Sequence, residues 1–217
     1  MNPQLIGISG SPVKNSNTDR LIKHILDNSG LSTEFVKLSK INVRPCMACL
    51  GCAADNICKL NDDFPELAAK IRNAGAIVVG GFATYGAVNG LTKAFLERLF
   101  SLRHRVGLNR GKLAVAVATG KGRGTPGLEG ASNQIAQTLK HEGMIVLDQL
   151  EVTGNPVCLS CGFGETCPMS ALPGVFGDDI KVTPEKFCKV EDQPEIWDRA
   201  KSLGRKIGQR LGQQAQA

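Results

Sequence analysis

Short apolar runs alternate with amphipathic segments along most of this 217-residue chain, and that alternation restricts its fold more than any single motif. QLIGIS (4–9) predicts a buried strand, and Asn17 to Asn28 a helix with Leu21, Ile22, Ile25 and Leu26 on one face. STEFVKLS (32–39) alternates and predicts a second strand. Asp62 or Asp63 is placed to cap a helix running to Asn73, with Pro65 in its first turn. AIVVGG (76–81) predicts a third strand covered on both faces. Leu91 to Leu102 predicts a helix, KLAVAVATG (112–120) a fourth strand, Ser132 to His141 a helix and MIVLDQLEV (144–152) a fifth strand. Glu195 to Leu211 closes the chain as a helix, with QQAQA as a frayed tail.

Strands alternating with helices imply a parallel sheet with helices on both faces. The expected fold is therefore α/β, a single flavodoxin-like domain over 1–217, its five strands in the order 2-1-3-4-5. Hydrophobic residues make up 42% of the chain, enough for a core that needs no disulfides. There is no long apolar run of transmembrane length, and MNPQLIGISGSP lacks a signal-peptide pattern. A cytoplasmic location follows as the expectation, with reduced thiols. The net charge of +6 suits anionic ligands, and RHRVGLNRGK (103–112) reads as helix-terminal cations followed by a solvated loop. With one Trp, one Tyr and no aromatic–basic interleaving, a nucleic-acid surface is not expected, nor a membrane one.

Three loops at the C-terminal ends of the strands carry ligand-binding chemistry. In ISGSPVKNSNTDR (8–20), Ser9, Ser11, Ser16, Asn17 and Thr18 stand between a strand and a helix N-terminus, where hydroxyls and backbone amides cradle a phosphate. In FATYGAVNGLTKAFLER (82–98), Thr84, Tyr85, Gly86 and Asn89 can face a flat ring, while Phe95, Leu96 and Leu99 read as core. TGKGRGTPG (119–127) contains a formal GxGxxG at Gly122, Gly124 and Gly127, but it comes late and encloses Pro126. Gly120 and Gly122 read instead as a glycine-rich lip beside a ligand.

GSPVKNSNT resembles the FMN phosphate loop of the NADPH-dependent FMN reductase-like superfamily, and the cysteines at 46–58 resemble those of its iron–sulfur flavoproteins. The resemblance spans roughly 4–153. It implies FMN, held at its phosphate by Ser9, Ser11, Ser16, Asn17 and Thr18, with Thr84, Tyr85, Gly86 and Asn89 toward the isoalloxazine. It also implies a homodimer or homotetramer in which a neighbour's loop covers the flavin. Phe82 and Thr84 depart from the family's usual proline and aromatic; Lys93, Phe95 and Arg98 keep its downstream pattern.

All eight cysteines fall in two segments that break the alternation, 42–60 and 154–190. The first reads Cys46-x2-Cys49-x2-Cys52-x5-Cys58. Such compact spacing wraps a loop round a [4Fe–4S] cubane, whereas structural zinc prefers separated CxxC pairs; free or redox thiols are the third reading. Asp55 and Asn56 turn the chain before the last ligand, and Met47, Ala48 and Leu50 are expected as an apolar shell. The second set is Cys158-x2-Cys161-x5-Cys167-x20-Cys188, with Gly162 and Gly164 for turns. Four cysteines in an aperiodic segment suggest a second [4Fe–4S] cluster or a zinc, with a redox disulfide or lone thiols as the alternative.

A flavin takes electrons in ones or twos and a cluster takes one, so a protein with both can join a one-electron carrier such as ferredoxin to a small-molecule acceptor. That oxidoreductase is the leading expectation. An NAD(P)H-dependent FMN or quinone reductase with structural metal sites is the runner-up, with Lys14, Arg123 or the 103–112 cations for the nucleotide phosphate. A non-enzymatic redox sensor is the third. No catalytic side chain is expected, and His24, His104 and His141 are expected on helices as surface or capping residues.

Overall fold

A computed structural model describes residues 4–122 and 126–214. Strand β1 (Leu5–Ser9) is buried along its whole length and alternates its side chains between two cores. Ile6 and Ile8 point to one core, Leu5 to the other. Gly7 shares the face of Leu5 and lets helix α1 (Asn17–Asp27) approach, since a Cβ there would lie 2.5 Å from Ile22 Cγ2.

The remaining strands are β2 (Thr33–Lys37), β3 (Ala76–Thr84), β4 (Ala87–Val88), β5 (Leu113–Gly120) and β6 (Ile145–Thr153). The parallel order is β2-β1-β3-β5-β6, the expected topology, and the short β4 pairs antiparallel with β3. That hairpin turns through Tyr85 and Gly86, both at positive φ (50° and 78°), as a tight two-residue turn requires. Two residues are too few to leave a periodic signal, so β4 is not visible in the sequence.

Helices α1 and α6 (Pro194–Gln214) cover one face of the sheet, and the one-turn α5 (Pro173–Phe176) lies in the second cysteine segment. Helices α2 (Phe64–Asn73), α3 (Gly90–Arg98) and α4 (Pro126–His141) cover the other. Phe95, Leu96 and Leu99 lie in that second core as expected, with Leu99 beginning a 3-10 turn to Leu102. Helix α4 starts six residues before the expected Ser132. Its buried Leu128, Ala131, Ile135 and Leu139 carry the helical period, but Gly127 and Gly130 weaken the early signal. Gly130 is required there, because a Cβ would lie 2.6 Å from the Gly86 carbonyl oxygen.

Segment 103–112 does more than the expected solvated loop. Lys112 Nζ donates to the carbonyls of Ile71 (2.5 Å) and Arg72 (2.7 Å) at the end of α2. Burial, with Arg72 nearby, lowers its pKa to about 8. His104 lies in a turn rather than on a helix. His24 is on α1 but stacks on Trp197 of α6 at 3.7 Å, joining the two helices. Among the described residues no helix is long and apolar enough to cross a membrane.

Candidate functional site

Loops after β1, β3 and β5 meet at the C-terminal edge of the sheet. Gly10 donates to the Gly80 carbonyl at 2.8 Å, and its own carbonyl accepts from Asn89 Nδ2 at 2.9 Å. Thr18 and Thr119 share a hydrogen bond at 2.8 Å between their hydroxyls, joining the first loop to the end of β5. Gly120 ends that strand and accepts from Gly154 N at 2.6 Å. Gly122 lies in a bend just beyond, whereas Arg123 and Gly124 are outside the described residues.

The centre of the first loop is a residue that the sequence reading passed over. Asp19 is buried at the third position of α1, where it completes a capping box with Ser16. Its carboxylate also accepts from Ser9 Oγ (2.6 Å) and from Lys37 Nζ (2.5 Å). The Lys37 ammonium donates in turn to the Val13 carbonyl, so β2 holds a cation against the loop. Ser16 Oγ accepts from Asp19 N, which leaves its O–H free to donate. Ser11 is buried beside Ser9, whose Oγ accepts from the Ser11 amide.

Two of the expected ligand residues are turned to protein instead. Asn17 Nδ2 donates to the Cys188 carbonyl, while its Oδ1 accepts from Arg20 and Val190 N. Asn89 is buried, with Oδ1 accepting from Phe82 N and Thr92 Oγ1 and Nδ2 on Gly10. Both are struts, because short amides can saturate three or four backbone and hydroxyl groups at once. What remains for an anion is the pair of first-turn amides of Asn17 and Thr18 and the Ser11 and Ser16 hydroxyls, since the Lys37 charge is paired with Asp19. That donor set fits a phosphate. Tyr85 projects fully into solvent from its turn, with Thr84 and Gly86 beside it.

The cysteine loop after β2 stands on a closed neck. Asp63 N donates to Asn42 O, and the carboxylates of Asp63 and Asp62 accept from Asn42 N and Arg44 N. These acids therefore hold the neck: Asp63 sits at the N-cap position of α2 without capping it, and Asp62 accepts from Phe64 N at 3.2 Å. Beyond the neck, Ala48, Leu50 and Asn56 take positive φ, wrapping the chain tightly. Cys46, Cys49, Cys52 and Cys58 line one hollow together with Leu60, Arg98 and Phe100. Burial pushes the Cys52 thiol up, and Cys58, Cys46 and Cys49 add to the shift by charge repulsion. Among the described residues no three His, Cys, Asp or Glu side chains are arranged to hold a metal ion.

The expected apolar shell is only partly one. Met47 and Leu50 border the hollow but are 68% and 60% exposed, because the tight turns that aim the cysteines inward aim these residues out. Cations surround the loop instead. Arg105 donates to Ala54 O, Arg72 to Asn56 O and Arg98 to Cys58 Sγ (3.2 Å). His104 Nε2 lies 3.3 Å from Cys52 Sγ.

In the second segment Cys161 and Cys167 sit on successive turns, with Gly162 at φ 82°. Cys158 Sγ accepts from Ala171 N at 3.3 Å, and Gly164 has no room for a Cβ, which would meet the Cys158 carbonyl at 2.1 Å. Cys188 Sγ accepts from Gln193 Nε2 at 3.3 Å, and its backbone is tied to Asn17 and Asn155.

Strand order and a phosphate-type loop at the first crossover define a flavodoxin-like α/β protein. A solved archaeal flavodoxin shares the fold, with a TM-score of 0.53, 14% identity and coverage of 96% of this chain and 98% of its own. The family described as NADPH-dependent FMN reductase matches residues 3–155. An iron–sulfur flavoprotein of Methanocaldococcus jannaschii is 32% identical over 70% of this chain and 79% of its own. Another, from Archaeoglobus fulgidus, is 28% identical over 86% of this chain and 78% of its own. The chain belongs to the NADPH-dependent FMN reductase family, among its iron–sulfur flavoproteins, and is a flavin-dependent oxidoreductase.

Proposed function

We propose that the protein carries FMN in the first loop and a [4Fe–4S] cluster on Cys46, Cys49, Cys52 and Cys58, and passes electrons between a one-electron carrier such as ferredoxin and a small acceptor. The observation that carries this reading is the single hollow lined by all four cysteines, on a loop that leaves the same sheet edge as the phosphate loop. Thiolates on a compact loop favour iron–sulfur chemistry. When bound, the flavin exchanges one or two electrons and the cluster one.

The chain's own residues would do the rest. Ser11, Ser16 and the amides of Asn17 and Thr18 would hold the phosphate, with the Lys37–Asp19 pair keeping the loop in place. Thr84, Tyr85 and Gly86 border the ring, with Gly120 and Gly122 across from them. Arg72, Arg98 and Arg105 would fix the cysteine loop and offset its negative charge, and His104 lies against the Cys52 sulfur. Cys158, Cys161, Cys167 and Cys188 would form a second centre, cluster or zinc, with Gln193 Nε2 donating to the Cys188 sulfur. A cytoplasmic homodimer or homotetramer completes the reading, with exposed Val13 and Tyr85 as supporting surface; a monomer in light scattering would contradict that last part.

The family description supports one competing reading, direct reduction of the flavin by NADPH with the cysteines only structural. Anaerobic stopped-flow separates the two. Reduced ferredoxin is expected to bleach the flavin faster than NADPH does, and a Cys58→Ala variant to lose only the ferredoxin reaction. Fast NADPH reduction that is indifferent to Cys58 would favour the competitor.

A further inference from the structure

The side chain of Arg98 is 0% exposed, as is that of its partner Asp62. A guanidinium stays charged at any working pH, so a buried one is held by pairing its donors; four of the five N–H groups of Arg98 are paired, and the buried Nε–H has no partner among the described residues. Nη1 donates to Asp62 Oδ2 at 2.5 Å and to the Arg44 carbonyl at 2.9 Å. Nη2 donates to Asp62 Oδ1 at 3.0 Å and to Cys58 Sγ at 3.2 Å. The ring of Phe64 lies 4.5 Å from the guanidinium carbon and fixes its plane. Burial alone would lower its pKa and raise that of Asp62; the pairing outweighs burial in both and reverses the shifts.

One fork therefore grips both ends of the cysteine loop. Arg44 stands two residues before Cys46, and Cys58 is the last cysteine of the set. Asp62 alone would balance the charge, so neutrality does not explain the sulfur contact. The bidentate pair fixes the plane of the fork, and one remaining N–H is aimed at Sγ. Hydrogen bonds to ligating sulfurs stabilise the reduced, more negative state of an iron–sulfur centre.

We propose that Arg98 is a positioning residue for the cluster, holding the Cys58 sulfur by an N–H···S hydrogen bond and raising the centre's reduction potential, with Asp62 moderating how much guanidinium charge reaches it. This rests on the reading of the first cysteine set as a [4Fe–4S] site. It makes two substitutions act in opposite directions on one quantity. Arg98→Lys keeps the charge, but a single ammonium cannot hold both carboxylate oxygens, the Arg44 carbonyl and Sγ. Asp62→Asn keeps the shape but leaves the guanidinium charge unbalanced beside the sulfur.

The test is an anaerobic redox titration of the full-length holoprotein, following the cluster by electron paramagnetic resonance and the flavin by absorbance. Arg98→Lys is expected to weaken cluster reduction about tenfold, which is about 59 mV downward for a one-electron couple. Asp62→Asn is expected to move it upward, with the flavin potential unchanged in both and each cluster potential read on the protein that retains its iron. A cluster potential unmoved by Arg98→Lys, or moved the same way by both variants, overturns the inference. Should Arg98→Lys fail to fold, Asp62→Asn decides alone: an upward shift supports it, and no shift or a downward one overturns it. Wild-type protein without iron and sulfide defeats the cluster reading, and this inference with it. A wild-type cluster with unmoved variants defeats only the inference.

Discussion

Replacing Cys52 with alanine is expected to remove about four irons and an equal amount of acid-labile sulfide from each chain, while FMN stays bound. Cys52 is the most buried of the first four cysteines, 8% exposed, and lies against His104. Burial and three neighbouring sulfurs disfavour its thiolate. A thiolate there needs a metal to stabilise it, and the metal needs the thiolate, so the two are lost together. Among the described residues none of the phosphate loop's hydrogen bonds comes from the first cysteine loop, which is why the flavin should remain. Iron, sulfide and flavin assayed on the variant, purified without oxygen, check this; unchanged iron would remove Cys52 from the ligand set.

Asp19→Ala is expected to be the most damaging change at the flavin end. It removes the carboxylate that holds Ser9, completes the Ser16 capping box and pairs with Lys37. The ion pair is mostly sheltered, with side-chain exposures of 13% for Lys37 and 3% for Asp19. Breaking a sheltered pair from one side leaves an uncompensated charge and costs about 3 kcal/mol. The lost half of the capping box, the Ser16 N–H on the Asp19 carboxylate, adds about 1 kcal/mol. Flavin affinity should fall as well, because the loop loses the register that points its amides and hydroxyls inward. Urea unfolding and fluorescence titration with FMN check the two effects. Asp19→Asn, which keeps an acceptor for Ser9, should recover part of the stability; equal loss in both variants would show that the charge alone matters.

The fold was legible because every strand but the two-residue β4, and most helices, carry their own local pattern. Leu21, Ile22, Ile25 and Leu26 announce α1 and are all buried. The ligand edge was legible for the same reason, since strand–loop–helix order places 8–18, 84–89 and the cysteine segments at one end of the sheet. What the sequence hides is pairing across distance. Arg98 is 40 residues from Cys58, and His104 is 52 from Cys52, and no spacing rule links them. Arg98 reads as one more helical cation until Asp62 and Phe64 are seen around it. Asp19 was hidden differently, inside a motif whose hydroxyls and amides drew the attention. A carboxylate beside an anion site looks misplaced until Lys37 arrives from β2 to neutralise it. Asn17 and Asn89 show the converse, since polar residues in the right loops can be consumed in holding those loops together.

The central claim is that one chain holds both a flavin and a thiolate-bound iron–sulfur centre. Anaerobic purification followed by quantification of FMN, iron, acid-labile sulfide and zinc per chain tests it most directly. The expected result is about one FMN with about four irons and four sulfides, or about eight of each if the second cysteine set also holds a cluster; about four irons plus one zinc would mark that second set as structural. FMN with zinc and no acid-labile sulfide, or iron–sulfur with no flavin, would contradict it.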